Sequence, residues 1–385
     1  MPTEPPPPTA LAIAGDTTRD RLLRAALDVA AEIGVDRTTG AAVATRAGVS
    51  RPTVYSYFGD VRGALAEAWM SVGPDWLATM VRSGDVEAVR AHPWHPVLTA
   101  LVLAAPRIDE LGEVVGPDVL RAVVLGGDDP DAVLRSTWSL ALELGAAAAR
   151  PVVPGIDVAL TLVPLVHALP ADARRAMGIG NEPWTVPPIE PVEPATDPDD
   201  DPTTASLVRA SVEVVARAGV VDASMNRICR AARVTTGAAN PRFAGVHDLV
   251  LRGFALALDE VIADNVGWFP SLDAITSPWD AAAVITVAGL GPARATWRRY
   301  RQELYLAATH DPEIAAVLAA AVERTDESLA LVGRTLGLAP DVIRIMLAFN
   351  NAATIGFAAL HRLDVPVVDL DHRIMYRWLT EPLRS

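Results

Sequence analysis

The segment Thr38–Leu65 reads TTGAAVATRAGVSRPTVYSYFGDVRGAL, and its spacing predicts two short helices joined by a tight turn. Thr38 or Thr39 can cap the first of these helices with its hydroxyl group. Gly48 lies where that helix must stop, and a residue without a Cβ can take the positive φ that such a turn needs. Ser50 is then in position to cap the second helix. The segment therefore predicts a helix-turn-helix unit.

A longer amphipathic helix is predicted just upstream, beginning after Thr17 or Thr18 and ending at Gly34. Its apolar side chains recur at helical spacing and form one stripe: Leu22, Leu23, Ala26, Leu27, Ala30 and Ile33. The apolar residues expected to hold the three helices together are Val43, Ala47, Val49, Val54 and Phe58. The side chains that remain on the last helix are Arg51, Thr53, Tyr55 and Tyr57. A short helix with an exposed amino end fits the major groove, so we expect these side chains to meet DNA.

This segment resembles the helix-turn-helix of the TetR family of bacterial transcription regulators. The matching residues are Thr39, Val43-Ala44, Ala47-Gly48-Val49-Ser50, Tyr55-Ser56-Tyr57-Phe58 and Leu65, and the resemblance covers roughly residues 18–69. It implies phosphate contacts from Thr39, Tyr55 and Tyr57. It implies contacts to bases or their flanking phosphates from Ser50, Arg51 and Thr53, and arginine can pair with guanine through two hydrogen bonds. Where the family usually carries a lysine this chain has Val61, so Arg62 would contact phosphate from a shifted position.

A second segment repeats this pattern at a constant offset. Val49 returns as Val234, 185 residues later, and residues 22–65 align with residues 207–250 without a gap. Other scaffold residues also return: Gly34-Val35 as Gly219-Val220, Val43 as Ile228, Ala47 as Ala232 and Phe58 as Phe243. The repeat predicts two helix-turn-helix heads in one chain, as two subunits would supply in a dimer.

The repeat divides the chain into six predicted regions. They are a proline-rich tail (1–16), a first head (17–65), a first body (66–180), a proline-rich and acidic linker (181–202), a second head (203–250) and a second body (251–385). The bodies also resemble each other, since LVLAAPRIDELGEVV from Leu101 matches LYLAATHDPEIAAVL from Leu304, and the segment from Pro130 matches that from Pro340. We therefore expect an all-α chain of two tandem units that pack together as a pseudo-dimer.

The second head keeps its scaffold but not its contact residues. Tyr55 becomes Asn240, Ser56 becomes Pro241, Tyr57 becomes Arg242 and Gly48 becomes Arg233. Because proline lacks an N–H and clashes with the preceding turn, the last helix of this head should end early. The residues that could still contact DNA here are Arg227, Thr235, Thr236, Asn240 and Arg242. Two interpretations stay open: this head binds DNA with another preference, or it only completes the pseudo-dimer.

The charge distribution decides whether DNA is a reasonable partner. A net charge of −14 disfavours it, because affinity for DNA depends on neutralising phosphates. However, residues 37–62 contain four arginines and one acid, and residues 222–242 have the same balance. Seven carboxylates are concentrated in the linker. Basic heads on an acidic protein remain compatible with DNA binding.

The remaining composition bounds the class of protein. The apolar run closest to membrane-spanning length, residues 342–360, contains Arg344, Asn350 and Asn351, and the amino terminus has no signal pattern. We therefore expect a cytoplasmic protein that does not enter the membrane. The single cysteine, Cys229, excludes an intrachain disulfide and is expected to be a small buried apolar residue.

The bodies carry no motif that identifies a reaction. There is no Gly-rich phosphate loop, GxSxG, HExxH or CxxC pair, so we expect no enzyme activity, no cofactor and no metal. In the TetR family the helices after the head bind a small-molecule effector and form the dimer. Side chains that could line such a cavity are Trp94, Trp138, His167, Trp268, Trp297, Tyr300 and Asn350.

These expectations combine into one functional hypothesis. The chain would be a repressor that binds a double-stranded DNA operator and is released by a small, mostly apolar effector. Its two unlike heads would read an imperfect palindrome, either within a monomeric pseudo-dimer or within a homodimer. The alternative is a ligand-binding or protein-interaction module in which the second head, or both heads, no longer bind DNA.

Overall fold

The computed structural model describes residues 13, 15–82, 86–124, 129–180, 184, 201–272, 277–335 and 339–380. The side chains of 265–272, 278, 328, 329, 331–333 and 335 lie outside this description. Most of the predicted tail and linker lies outside it as well. Within the described residues every regular element is helical, which confirms the predicted all-α class.

The described α-helices divide between the two halves of the chain. The first half contains α1 Thr18–Ile33, α2 Gly40–Ala47, α3 Arg51–Phe58, α4 Val61–Arg82, α5 Val86–Arg90, α6 His95–Ala104, α7 Asp109–Val124, α8 Pro130–Ala149, α9 Val163–His167 and α10 Ala173–Ala176. The second half contains α11 Pro202–Ala218, α12 Met225–Ala232, α13 Thr236–Ala239, α14 Val246–Leu272, α15 Pro278–Gly289, α16 Ala295–Ala308, α17 Pro312–Thr335, α18 Pro340–Arg362 and α19 His372–Thr380.

The first head has the local structure that its sequence predicts. Thr17 begins α1 with a capping box, in which its hydroxyl accepts from the Asp20 amide and the Asp20 carboxylate accepts from the Thr17 amide. Gly34 ends the helix at φ 94°, in the region that favours glycine. Thr39 caps α2, and Gly48 forms the following turn at φ 68° and ψ 37°. These caps and turns place α3 after α2 as a helix-turn-helix.

The second head repeats this backbone at the same offset of 185 residues. Helices α12, α13 and α14 begin at the positions equivalent to the starts of α2, α3 and α4. Arg233 takes the place of Gly48 and has almost the same backbone angles, φ 58° and ψ 36°. A residue with a Cβ is strained there by about 1–2 kcal/mol. As Pro241 predicts, α13 is short: it covers four residues, whereas α3 covers eight.

The two bodies meet most closely where α8 crosses α18. A Cβ placed on Gly145 would lie 1.8 Å from the carbonyl oxygen of Ala352, and one placed on Gly356 would lie 1.8 Å from that of Ala141. The backbones of the two helices therefore touch at both glycines. Gly145 and Gly356 are 211 residues apart, and so are Ala141 and Ala352. Each contact is thus repeated with the partners exchanged.

Trp138 of α8 lies at the centre of this crossing. Its ring stacks on Phe349 of α18, with the ring centroids 5.4 Å apart and the planes inclined by 10°. Phe357 and Tyr376 pack edge-on against the same indole. Phe349 follows Trp138 by 211 residues, so the stack joins two equivalent positions. The core of the molecule consequently runs without a break from the first body into the second.

Helix α18 is also the one described helix that is long and apolar enough to cross a membrane by length and composition. Of its most apolar window, 56% is buried inside the protein. Its glycine and phenylalanine side pack against α8, as expected of a core helix in a globular protein. The hydropathy of α18 is therefore explained by its place in the core.

The heads contact the bodies in a crossed manner. The imidazole of His310, in the second body, lies 3.0 Å from where a Cβ on Gly34 of the first head would be. The guanidinium of Arg107, in the first body, lies 3.1 Å from the corresponding point on Gly219 of the second head. In the sequence alignment Gly219 corresponds to Gly34 at an offset of 185, and His310 corresponds to Arg107 at an offset of 203. Each head thus rests partly on the opposite body.

Candidate DNA-binding surface and effector cavity

The first head is held together by the apolar residues expected from its sequence. Val43 of α2 and Val54 of α3 are buried, and Leu22 and Leu27 of α1 are buried beneath them. Three other residues were expected to hold the helices together. They are partly buried and pack against the same core: Ala47, Val49 and Phe58. This core fixes the angle between α2 and α3, and it leaves the opposite side of α3 to solvent.

The exposed side of α3 presents a cation and two aromatic rings. The guanidinium of Arg51 lies 5.3 Å from the centre of the Tyr55 ring and donates to the Tyr55 hydroxyl over 2.9 Å. Tyr55 is 38% exposed and Tyr57 is 42% exposed, which is unusual for large aromatic side chains. Their hydroxyl groups can donate to phosphate oxygens, and the guanidinium can pair with a base edge or a phosphate.

The remaining residues predicted to contact DNA are at least partly exposed. Thr39 is exposed, and its hydroxyl accepts from the Ala42 amide over 3.2 Å. Ser50 occupies the cap position of α3, but its hydroxyl bonds to the Thr53 hydroxyl over 2.8 Å and makes no cap bond. Arg62 is exposed in the first turn of α4. Every residue of the first head that was predicted to contact DNA is therefore at least partly accessible to solvent.

The second head presents a different surface. Arg227, Thr235, Thr236 and Asn240 are all exposed. Arg242 is only half-exposed, and its Nε lies 2.8 Å from the Asp201 carboxylate, while its Nη1 donates to the Ala238 carbonyl. This arginine is therefore held by Asp201, which caps α11, and by the backbone of α13. A separate small core supports the head and includes Cys229, which is buried as expected, and burial raises the pKa of its thiol.

A large cavity lies in the second body. Its volume is about 480 Å³, and helices α14 to α19 supply most of its lining, with Leu162 and Leu165 added from the first body. Most of its walls are apolar, with Phe254, Leu258 and Leu318 as examples. A volume in this range suits a small organic ligand.

The structure brings only some of the predicted cavity residues to this place. Trp297 and Asn350 line the cavity. Tyr300 is fully buried beside it, and its hydroxyl donates to the Val250 carbonyl over 2.5 Å. Trp138 is in the α8–α18 crossing described above. The side chain of Trp268 lies outside the described residues.

Two further predicted residues of the first body have structural partners elsewhere. Trp94 donates through Nε1 to the Asp28 carboxylate over 2.9 Å, which attaches the first body to α1. His167 lies 3.1 Å from the Ser139 hydroxyl, and burial lowers the pKa of its imidazole. Neither residue lines the cavity of the second body. Among the residues that the structure describes, no group of three or more histidine, cysteine or acidic side chains is arranged to hold a metal.

Sequence reasoning missed the arginines of this cavity. Arg294, Arg298 and Arg301 all line it, although Arg294 and Arg298 are less than a tenth exposed. In the sequence they belong to ARATWRRYRQE, which is typical of a solvated helix surface. The available signal was their spacing, because residues three or four apart share one face of a helix.

A buried group of charges connects the second body to the first body and to the first head. Arg107 lies 2.9 Å from the Asp36 carboxylate of the first head and 3.1 Å from that of Glu303 on α16. Arg362 of α18 approaches Glu303 from another side at 3.6 Å. Burial raises the pKa of Glu303, although Arg107 and Arg362 act to lower it. Burial disfavours the charge on Arg107, but its two carboxylates outweigh this and raise its pKa.

Comparison with known protein families identifies the first head. Residues 22–68 match the family model described as bacterial regulatory proteins, tetR family. The match ends within α4 and contains α2 and α3, the pair whose exposed side carries Arg51, Tyr55 and Tyr57. The first head is thus a TetR-type helix-turn-helix, in agreement with the sequence expectation.

Curated relatives match a short part of the chain. In each of two Mycobacterium tuberculosis strains, a protein named as an uncharacterized HTH-type transcriptional regulator is 46% identical over 68 residues, which is 18% of this chain and 36% of the relative. A protein of the same description from Mycobacterium bovis is 53% identical over 49 residues, which is 13% of this chain and 26% of the relative. The similarity therefore spans about a quarter to a third of the length of these relatives.

Proposed function

We propose that this chain is a DNA-binding transcriptional regulator, and that it acts in the cytoplasm as a repressor. The exposed side of α3 carries the proposal, because Arg51, Tyr55 and Tyr57 point outward from a head that matches the TetR family model. The arginines around this head supply the local positive charge that binding to phosphates requires. Because the rest of the chain is acidic, the heads are the part of the protein expected to attract DNA.

We further propose that the chain is a tandem duplication folded as a pseudo-dimer. In a two-fold symmetric interface, residue i contacts residue j and residue j contacts residue i of the partner. The glycine–alanine contacts between α8 and α18 follow this rule at an offset of 211. The crossed contacts of Gly34 with His310 and of Gly219 with Arg107 follow it as well. One chain would then offer two heads to two unlike half-sites.

The cavity is the proposed effector site. Helix α16 carries Arg298 and Arg301 at the cavity and Glu303 in the buried ion pair with Arg107. Tyr305, on the same helix, lines both this cavity and a cleft of about 300 Å³ that contains Gly34, Arg107 and Val220. A shift of α16 on effector binding would therefore reach residues that contact both heads. If the spacing or tilt of the two heads changed, they could no longer bind DNA at the same time, and the affinity for DNA would fall.

Fluorescence anisotropy with labelled DNA from upstream of its own gene tests the DNA-binding step. Arg51→Ala should weaken binding by about tenfold or more, because a two-bond base contact contributes about 1–3 kcal/mol. Arg344→Ala is the matched control, since Arg344 is exposed on α18 and pairs with Asp341 one turn away on the same helix. If the wild-type chain fails to bind at moderate salt, the repressor proposal is wrong.

The alternative is a ligand-binding or protein-interaction module that does not bind DNA. For the second head, the contacts of Arg242 with Asp201 and with the Ala238 carbonyl favour this alternative, because they keep the side chain from DNA. Selection of binding sites from random DNA, combined with sizing of the complex, separates the cases. A monomer on two unlike half-sites supports two reading heads. A homodimer on a symmetric palindrome would mean that only the first head reads DNA.

A further inference from the structure

The cavity of the second body has a property that an apolar effector alone does not explain. Three arginines line it, and one of them, Arg294, is paired with the carboxylate of Asp264 at 3.4 Å. Among the described residues, no carboxylate lies within ion-pair distance of Arg298 or Arg301. Two positive charges therefore face a mostly apolar cavity, and no described residue supplies a matching anion.

Arg298 is the more deeply buried of these two side chains. It is 7% exposed, and its Nη1 donates to the carbonyls of Gly289 and Gly291 over 2.9 Å and 2.6 Å. Its Nε is buried and has no hydrogen-bond partner among the described residues. Burial and the neighbouring arginines lower the pKa of Arg298 to about 10, so it is still charged at neutral pH. A buried charge without an ionic partner is costly, and an anionic ligand would offset that cost.

Arg301 lies one helical turn further along α16. Its guanidinium is 5.9 Å from the centre of the Trp297 ring, and its Nη2 donates to the Thr354 carbonyl over 3.3 Å. Trp297 and Thr354 also line the cavity. The two guanidinium groups thus stand on one side of the cavity, with aromatic and aliphatic walls around them.

The equivalent place in the first body is different. At the offsets of the repeat, Arg298 corresponds to His95, and Arg301 corresponds to Leu98. Val261, which lines the cavity, corresponds to Trp76, whose indole is fully buried in the first body. Both the space and the positive charge are therefore features of the second body.

We infer that this cavity binds an amphipathic carboxylate, with the carboxylate at Arg298 and Arg301 and the apolar part along the walls. A planar guanidinium matches a carboxylate through paired hydrogen bonds, which an alcohol or an ester cannot accept with equal strength. The inference rests on the proposed effector role of the second body, and it assigns one ligand to each chain.

Ligands with the same tail and different head groups test this inference. Dodecanoate, dodecanol and dodecyltrimethylammonium would be titrated into the full chain while tryptophan fluorescence is recorded, since Trp279 and Trp297 line the cavity. The carboxylate should bind at least about tenfold more tightly than the alcohol, as charge-assisted hydrogen bonds imply. Equal binding of acid and alcohol, preference for the cation, or no binding of any of the three would overturn the inference.

Substitutions in α16 test whether the arginines cause the preference for the carboxylate over the alcohol. Arg301→Met should remove the preference of the carboxylate over the alcohol, and Arg298→Met should do the same if that chain stays folded. Arg299→Met is the matched control, because Arg299 is exposed on the same helix and does not line the cavity. A preference that survives Arg301→Met in a folded chain would contradict the inference.

DNA binding is measured separately in the same samples. If dodecanoate binds with the expected preference and DNA affinity does not change, the ligand class stands and the proposed effector control fails. If DNA binding is absent from the start, the ligand titration still decides the inference. The two proposals can therefore fail independently.

Discussion

Arg107 and Glu303 form a buried ion pair across the two halves of the chain, with 3.1 Å between Nε and Oε2. They are 196 residues apart in sequence. At the offsets of the repeat, Glu303 corresponds to Ala100, and Asp36, the other partner of Arg107, corresponds to Val221. The pair therefore has no counterpart on the other side of the molecule. A scaffold with repeated contacts here carries an asymmetric connection between the second body and the first head.

We predict that Arg107→Met lowers the free energy of unfolding more than Glu303→Gln does. Removing the arginine leaves two carboxylates close together, one of them buried, and breaking a buried pair in this way costs about 3–5 kcal/mol. Glu303→Gln leaves Arg107 paired with Asp36. Urea unfolding of both single variants and the double variant measures the coupling. Additive losses would show that the two side chains do not interact.

We predict that Gly356→Ala destabilises the crossing of α8 and α18 by about 3 kcal/mol or more. The new methyl group would overlap the Ala141 carbonyl, and an overpacked core must shift its backbone. Gly116→Ala in α7 is the control, because a Cβ there meets no atom within 4 Å. Thermal unfolding should show a large loss for the first variant and none for the second. An equal response of the two variants would contradict the close contact.

We predict opposite responses at the two equivalent turns of the heads. Gly48→Ala should destabilise the first head by about 1 kcal/mol, because φ is positive there while the space is open. Arg233→Gly should stabilise the second head, by less than this amount because glycine gains freedom in the unfolded chain. Hydrogen exchange of amides in α2 and α12 reports each head separately. A loss of protection in α12 with Arg233→Gly would refute the strain argument.

We predict that Val261→Trp abolishes binding of dodecanoate while the chain stays folded. In the first body the residue equivalent to Val261 is the buried Trp76. The substitution would place the same side chain in the cavity of the second body, whose volume of about 480 Å³ has room for an indole. Circular dichroism checks that the variant is folded. A competition assay with dodecanoate measures whether the cavity still binds the ligand. Val261→Ala serves as the control and should keep binding. Unchanged binding in Val261→Trp would place the ligand outside this cavity.

The sequence predicts the first head well because its signals are local. Caps, the turn at Gly48 and the apolar stripe all lie within a few residues of the structure that they determine. The early end of α13 was predicted for the same reason, from Pro241 alone.

The cavity and the buried charges were not predictable in this way. Arg298 and Arg301 read as surface charges because their burial depends on α14, α15 and α18, which are distant in sequence. Trp138 reads as a candidate ligand contact, but its position opposite Phe349 makes it part of the core. Single aromatic residues in helical bodies are poor guides to a cavity, whereas a comparison of equivalent residues such as Trp76 and Val261 is informative.

The contact between α8 and α18 has a consequence for how the protein behaves at low abundance. Two separate subunits dissociate when they are diluted, but here both sides belong to one polypeptide, so the contact forms at an effective concentration that dilution does not change. A cell holding a few copies would hold the assembled form. A variant copy from a second allele could not mix with the wild type through this contact, so a damaged head would remain confined to its own molecule.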